Sequence, residues 1–220
     1  MRIYLVRHGQ SEANVDKRVH LTTADHAIPL SWTGRDQAEA AAAFLHDHFA
    51  TRRQSWGKIR LWHSPYLRAR ETAEAFKIKF NGMLDSTREH LLLCEQQFGL
   101  FDGISHEGTK SEIERRFPAE YEHYKKCEKF EGGFWARMPL GESKFDLCLR
   151  VHQSFGTFHR DVTSSGIQDV IVVAHGSTNR AFAMMWLHRP YEWFEKEPNP
   201  PNCSIRLIEN NEDKGYIFKP

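Results

Sequence analysis

The chain opens with a run of β-formers, Ile3 to Val6, that stops abruptly at the polar residues Arg7, His8, Gly9, Gln10 and Ser11. The same change recurs twice. Lys58 to Trp62 alternates like a strand until His63, Ser64 and Pro65 break it. Asp169 to Ala174 is rich in β-branched residues, as in a strand buried on both faces, and empties into His175, Gly176 and Ser177. Helical patterns follow each break. Ser31, after Pro29 and Leu30, is an N-cap for a helix over about 32–50, and Tyr66 to Phe76 reads as a second helix. Glu142 to His159 reads as one amphipathic helix, and another is predicted around Lys110 to Lys126. Leu91 to Leu93 reads as a strand end or extended segment running into a loop. Pro198 to Pro201 form a turn ahead of Ile205 to Ile208, an edge strand, and the polar Asn210 to Lys214 reads as loop.

A repeated strand, polar loop and helix predicts an α/β protein, a three-layer α/β/α sandwich with a mostly parallel central sheet. Right-handed crossovers bring the loops after the strands to one sheet edge, where such folds bind ligands. His8, the Ser64 to Arg68 segment and His175 therefore converge. The whole of 1–220 reads as a single domain, and the polar, aromatic, glycine-spotted stretch at about 102–138 reads as a lid-like insertion.

Composition narrows the partners. Thirty Lys+Arg against 29 Asp+Glu leave a net charge of +1, which provides no general field for nucleic acid or an anionic membrane. A small molecule is the expected partner. Cys94, Cys127, Cys148 and Cys203 form no close pair, against a zinc ribbon or disulfide framework and for a reducing compartment. With no signal-peptide pattern and no membrane-length apolar window, the expected location is cytoplasmic. Thirteen histidines show no metalloprotease spacing, and His46 and His48 read as solvated; neither metal nor cofactor is expected, on the resemblance set out next. The tail strand and the nearby aromatic residues leave a homodimer open.

Arg7, His8 and Gly9 after an N-terminal strand resemble the signature of the histidine phosphatase superfamily, in its phosphoglycerate-mutase-like branch (branch 1). The resemblance extends over about 180 residues. It includes Ser11 and Asn14; Pro29, Leu30, Ser31, Gly34, Gln37 and Ala38; Ser64, Pro65, Arg68, Ala69, Thr72 and Ala73. Glu95, Gln96, Phe98 and Gly99 match an acid-bearing block, Pro139, Gly141, Glu142 and Ser143 a further one, and Ala174, His175 and Gly176 the last. Phe134 and Arg137 with Asn202 and Cys203 are similar to mutase-like proteins of plants and fungi.

The resemblance implies that a neutral His8 is the nucleophile, since a phosphate monoester carries about two negative charges near neutral pH and repels an anion. Its second ring nitrogen would be held by a backbone carbonyl, that of Gly9 by the family pattern. Arg7 and Arg68 would fork onto the phosphoryl oxygens, with Asn14, His175 and Ser177 adding donors. Glu95, flanked by Leu92, Leu93, Cys94 and Phe98, would be desolvated enough to protonate the leaving group; Glu89 and Asp102 are alternatives. Arg137 is a candidate for a second anionic group of the substrate or for stacking on aromatics, and Arg180 reads as a packing residue. Trp186, Trp193 and Phe194 read as core or partner surface.

Mutases of the family carry an arginine pair and a proline run between the acid block and the second histidine. Here Arg115, Arg116, Phe117 and Pro118 occupy that region without that pattern. The expected activity is therefore a metal-independent phosphatase on a small phosphate monoester. The alternatives are a mutase-type phosphotransferase and a non-catalytic phosphate-binding domain.

Overall fold

The computed structural model describes residues 1–51, 58–102 and 110–220. Strands β1 (Arg2–Arg7), β2 (Lys58–His63), β3 (Leu84–Glu89), β4 (Ile167–Ala174), β5 (Ile205–Glu209) and β6 (Glu212–Phe218) form one sheet in the order β3-β2-β4-β1-β5-β6. The first four positions are parallel, and β5 and β6 run antiparallel at one end.

Helices cover both faces, because alternate strand residues point to opposite sides. Tyr4, Val6, Ile59, Leu61, Ile171 and Val173 pack with Ala38, Ala41, Leu45, Ala69 and Phe76. Those partners belong to α2 (Trp32–Thr51) and α3 (Leu67–Lys79), which follow the short α1 (Glu12–Val15). Ile3, Leu5, Val170, Val172 and Ala174 face Leu147, Val151, Phe158 and Phe182 on the other side.

The described part of the stretch at about 102–138 contains two helices, α4 (Lys110–Arg116) and α5 (Pro118–Glu131). Residues 103–109 of it lie outside the described residues. A proline at N1 lacks only an N–H that would have no intrahelical partner, so Pro118 starts α5 where one continuous helix is expected. Ile113, Phe117, Tyr121 and Tyr124 gather with Leu100, Phe101 and Met138 in a small cluster separate from the two main cores. The remaining helices are α6 (Lys144–Gln153), α7 (Phe155–Ser165), α8 (Gly176–Trp186) and α9 (Tyr191–Lys196).

Four local expectations are corrected. The amphipathic stretch from Glu142 is two helices, broken at Ser154, whose hydroxyl donates to the Val151 carbonyl at 2.6 Å. Leu91–Leu93 is a 3-10 turn, and the strand ahead of it, β3, is a polar edge strand without an apolar run. Ile205–Glu209 is interior, because the polar residues after it form the edge strand β6. Asn210 and Asn211, at φ 52° and 62°, supply the two left-handed positions of a two-residue hairpin turn. His48 packs among Tyr4, Phe44 and Phe49 instead of lying in solvent.

Two glycines let the first loop sit against α2. A Cβ on Gly9 would lie 2.3 Å from the Gly34 carbonyl oxygen, and one on Gly34 would lie 2.0 Å from that of Gln10. Ser31 caps the helix by accepting from the Gly34 N–H at 3.1 Å, while its own N–H donates to the Gln10 carbonyl at 2.9 Å. Because the obstruction at Gly34 is backbone, Gly34→Ala should destabilise by about 1–3 kcal/mol, a lowering of the melting midpoint by several degrees. Thermal denaturation showing an unchanged midpoint would contradict this crossing.

Candidate active site

β1 and β4 are parallel neighbours with Arg7 paired to Ala174, so His8 and His175 leave the sheet side by side. Their ring centroids are 5.2 Å apart, and the His8 N–H donates to the Ala174 carbonyl at 2.9 Å. β2 ends one strand further along. The Ser64 N–H bonds the Val173 carbonyl at 3.0 Å, and the Ser64 hydroxyl lies 2.7 Å from Nε2 of His175.

The state of His8 follows from its surroundings. Nδ1 is 2.7 Å from the Gly9 carbonyl oxygen, which can only accept, so Nδ1 carries the proton and Nε2 keeps its lone pair. Burial, reinforced by the positive charges of Arg68 and Arg7, holds its pKa well below the ordinary 6.5. His175 is lowered in the same way, first by burial and then by Arg68. Both imidazoles are neutral at physiological pH.

Arg68, on the first turn of α3, is buried. Its Nη1 donates to the Asp25 carbonyl at 2.6 Å and lies 3.0 Å from the Asp25 carboxylate, and Tyr66 places its ring 5.0 Å from the guanidinium. Arg7 donates Nη1 to the Pro200 carbonyl at 2.6 Å, while its buried Nε has no hydrogen-bond partner. Burial, with the nearby charge of Arg68, lowers the Arg7 pKa against the opposing attraction of Glu95.

Glu95 arrives on the loop after the 91–93 turn. Its carboxylate accepts from the Gln96 N–H at 3.0 Å and from the Thr178 and Ser177 N–H groups, at 3.3 and 3.4 Å, in the first turn of α8, while the Thr178 hydroxyl donates to the Cys94 carbonyl at 2.7 Å. Arg150 braces that loop through the carbonyls of Leu92, Cys94 and Glu95 and through the carboxylate of Glu142.

Arg7, His8, Asn14, Arg68, Glu95 and Ser177 line one cavity of about 380 Å³, together with Lys17, His20, Asp25, Gln96, Asp102, Lys144, Arg180 and Asn199; His175, fully buried beside His8, is not among its lining residues. Of the expected site residues, the structure separates Arg137 from the rest. Its guanidinium grips Asp146 at 2.6 and 2.9 Å on the surface and does not line the cavity. Asp146 caps α6, and the bidentate pairing explains why Arg137 turns outward. Glu89 is held by Arg70 at 2.6 Å, whereas Asp102 is in the cavity. Arg180, expected only to pack, does pack on Phe194 at 4.5 Å but also lines the cavity.

Sequence reasoning missed Asp25, which holds Arg68, and the cationic Lys17 and Lys144. Asp25 lies in an irregular 3-10 turn where no periodicity signals a role.

The profile of the histidine phosphatase superfamily (branch 1) matches residues 3–219. The phosphoglycerate mutase-like protein AT74 of Arabidopsis thaliana is 33% identical over 98% of this chain, which spans 66% of that relative's length. The broad-range acid phosphatase DET1 of Saccharomyces cerevisiae is 25% identical over 99% of this chain and 88% of its own. A mycobacterial glucosyl-3-phosphoglycerate phosphatase, solved with a vanadium oxyanion, superposes with a TM-score of 0.70 at 25% identity, covering 94% of this chain and 90% of that one.

Burying two neutral imidazoles makes stability pH-dependent. The unfolded chain takes up a proton on each near pH 6.5, and the native state does so only well below it, so stability falls as pH drops through 6.5. Each residue contributes a slope of up to about 1.4 kcal/mol per pH unit. Urea denaturation of His8→Gln between pH 7 and 5 should show a shallower fall than the wild type, and parallel curves would contradict the burial of His8 as a neutral base.

Proposed function

The chain belongs to the histidine phosphatase superfamily (branch 1), and on that footing we propose that it is a phosphatase hydrolysing a small phosphate monoester through a phosphohistidine, without a metal ion. The observation that carries this reading is the neutral His8, its Nε2 lone pair free, in one cavity with two buried guanidinium groups and Glu95.

In the proposed first step the Nε2 lone pair forms a bond to phosphorus and the ester P–O bond breaks. Glu95 gives its proton to the departing alkoxide. In the second step water attacks phosphorus, Glu95 takes the water's proton, the N–P bond breaks and inorganic phosphate leaves. Arg7 and Arg68 hold the negative oxygens throughout, supplying the charge stabilisation that metal ions give elsewhere. The mechanism assigns the Ser64 hydroxyl, 2.7 Å from Nε2 of His175, as donor to that nitrogen, which places the His175 proton on Nδ1. That atom is buried with no protein partner, a donor available to a phosphoryl oxygen.

Further cations in the cavity lining support a leaving group that is itself anionic. Among the described residues Arg180 hydrogen-bonds the carbonyls of Phe194 and Glu197 and its buried Nε has no partner, while Lys17 and Lys144, the latter paired with Glu195 at 3.4 Å, line the cavity beside Asp25 and Asp102. The glucosyl-3-phosphoglycerate phosphatase, by its name, acts on a substrate of that kind.

Phosphate release from p-nitrophenyl phosphate and a panel of metabolite esters, with chelator present and His8→Ala as blank, tests the proposal. Inorganic phosphate from wild type alone is the expected result. An isomeric ester would show a mutase, and no turnover at any pH would show a binding domain. Arg68→Ala should lose about 10³-fold in kcat/KM. Glu95→Gln should lose about 10²–10⁴-fold with alkyl esters but far less with p-nitrophenyl phosphate, whose leaving group needs little protonation.

A further inference from the structure

Asn14 carries the amide expected to donate to the phosphoryl group, and what aims it lies 188 residues away. The Asn14 Oδ1 accepts from the Ser11 N–H at 3.0 Å; a backbone N–H can only donate, so this contact fixes which end of the amide is oxygen. The second bond to that oxygen comes from Nδ2 of Asn202 at 3.2 Å. The orientation of Asn202 is fixed too. Its Nδ2 also donates to the His8 carbonyl at 3.0 Å, and a carbonyl can only accept. Both acceptor positions of Asn14 Oδ1 are therefore taken. Its Nδ2, on an exposed side chain that lines the cavity, is left as a donor with no partner among the described residues.

The residues beside Asn202 grip the same loop. The Cys203 N–H donates to the carbonyls of Arg7 and His8, at 3.0 and 3.3 Å, and the Pro200 carbonyl takes Nη1 of Arg7. Cys203 adopts φ 53°, a left-handed conformation unusual for a residue with a side chain, so local structure holds this segment in place.

We infer that Asn202 is a positioning residue, which locks the Asn14 amide with its NH₂ toward the phosphoryl site and ties it to the backbone of the nucleophile. The inference rests on the proposed phosphatase reading. A donor already aimed loses no binding energy to reorientation when the charged group arrives. Removing Asn202 leaves the Asn14 amide held by the Ser11 N–H alone, with one of its two anchors lost, and Asn202→Asp places an acceptor against two acceptors.

The test is a double-mutant cycle read by orthovanadate inhibition of p-nitrophenyl phosphate turnover. Asn202→Ala should weaken vanadate binding about tenfold in the wild-type background and have almost no effect in Asn14→Ala, because the amide it orients is gone. Asn202→Asp, nearly equal in volume, should lose more than Asn202→Ala and serves if the alanine variant fails to fold. In a crystal of the vanadate complex, Asn14 Nδ2 should lie within hydrogen-bond distance of a vanadate oxygen. Unchanged affinity in Asn202→Ala, or an equal loss in both backgrounds as a mere loop brace would give, overturns the inference alone. A wild type that neither turns over ester nor binds vanadate overturns the phosphatase reading, and this inference with it.

Discussion

Everything in the cavity depends on the parallel pairing of β1 with β4. Their residues meet from Arg2 against Asp169 to Arg7 against Ala174, and both strands stop at the same level, so the next residue on each is a histidine. A slip of one residue would turn each side chain to the other face of the sheet. It would also move Ile3, Leu5, Val170 and Val172 out of one core and Tyr4, Val6, Ile171 and Val173 out of the other. The apolar faces therefore enforce the register, and the register enforces the 5.2 Å approach of the imidazoles. At the foot of the same strands Arg2 bonds the buried Asp169 at 2.5 and 2.8 Å, so the pair is pinned at the end opposite the site as well.

The arginines divide by what they bond. Arg206 is matched by Asp213 and Glu197, Arg60 by Asp85 and Asp161, and Arg137 by Asp146. Those charges are neutralised and act in the structure. Arg7 and Arg180, in the cavity, bond backbone carbonyls instead. A carbonyl satisfies an N–H without cancelling the charge, so the field of both guanidinium groups remains available to an anion. Desolvation disfavours that charge, and both pKa values are lowered by burial. An anion placed against these guanidinium groups would offset that cost, which is what the proposed phosphatase reading requires of them. Arg68 differs in being paired with Asp25, which holds it beside Tyr66.

What was legible in the sequence follows from what patterns record. β1 and β4 are continuous apolar runs and β2 alternates, so all three stand out, and each ends in polar residues that reach the site. β3 is an edge strand of sequence LDSTRE with no buried residue, and it leaves no apolar signature. β6 escapes detection for the same reason, and its hairpin turn uses Asn-Asn where a glycine would have announced it. His8, Arg68, Glu95 and His175 could be nominated because they lie next to such breaks or in blocks resembling a known family. Arg137 could not be judged. Its fate depends on Asp146, nine positions away across a turn, and surface pairing between irregular segments has no periodicity.

The same limit applies to the segment before β5. Turn-forming prolines mark it as a loop, yet its backbone performs what strand pairing performs elsewhere, through the bonds from Cys203 to Arg7 and His8. Asn199 lies against Gly176, where a Cβ would come within 2.1 Å of its Oδ1, so one short loop touches both the β1 exit and the start of α8. Those are the two places from which His8 and the donors around Glu95 emerge. Because β5 is antiparallel to β1, the chain entering β5 must pass the end that β1 leaves. The antiparallel addition to a parallel sheet thus does more than extend the core: it returns the segment before β5 to the backbone of Arg7 and His8, where the loop after β1 gains a second wall.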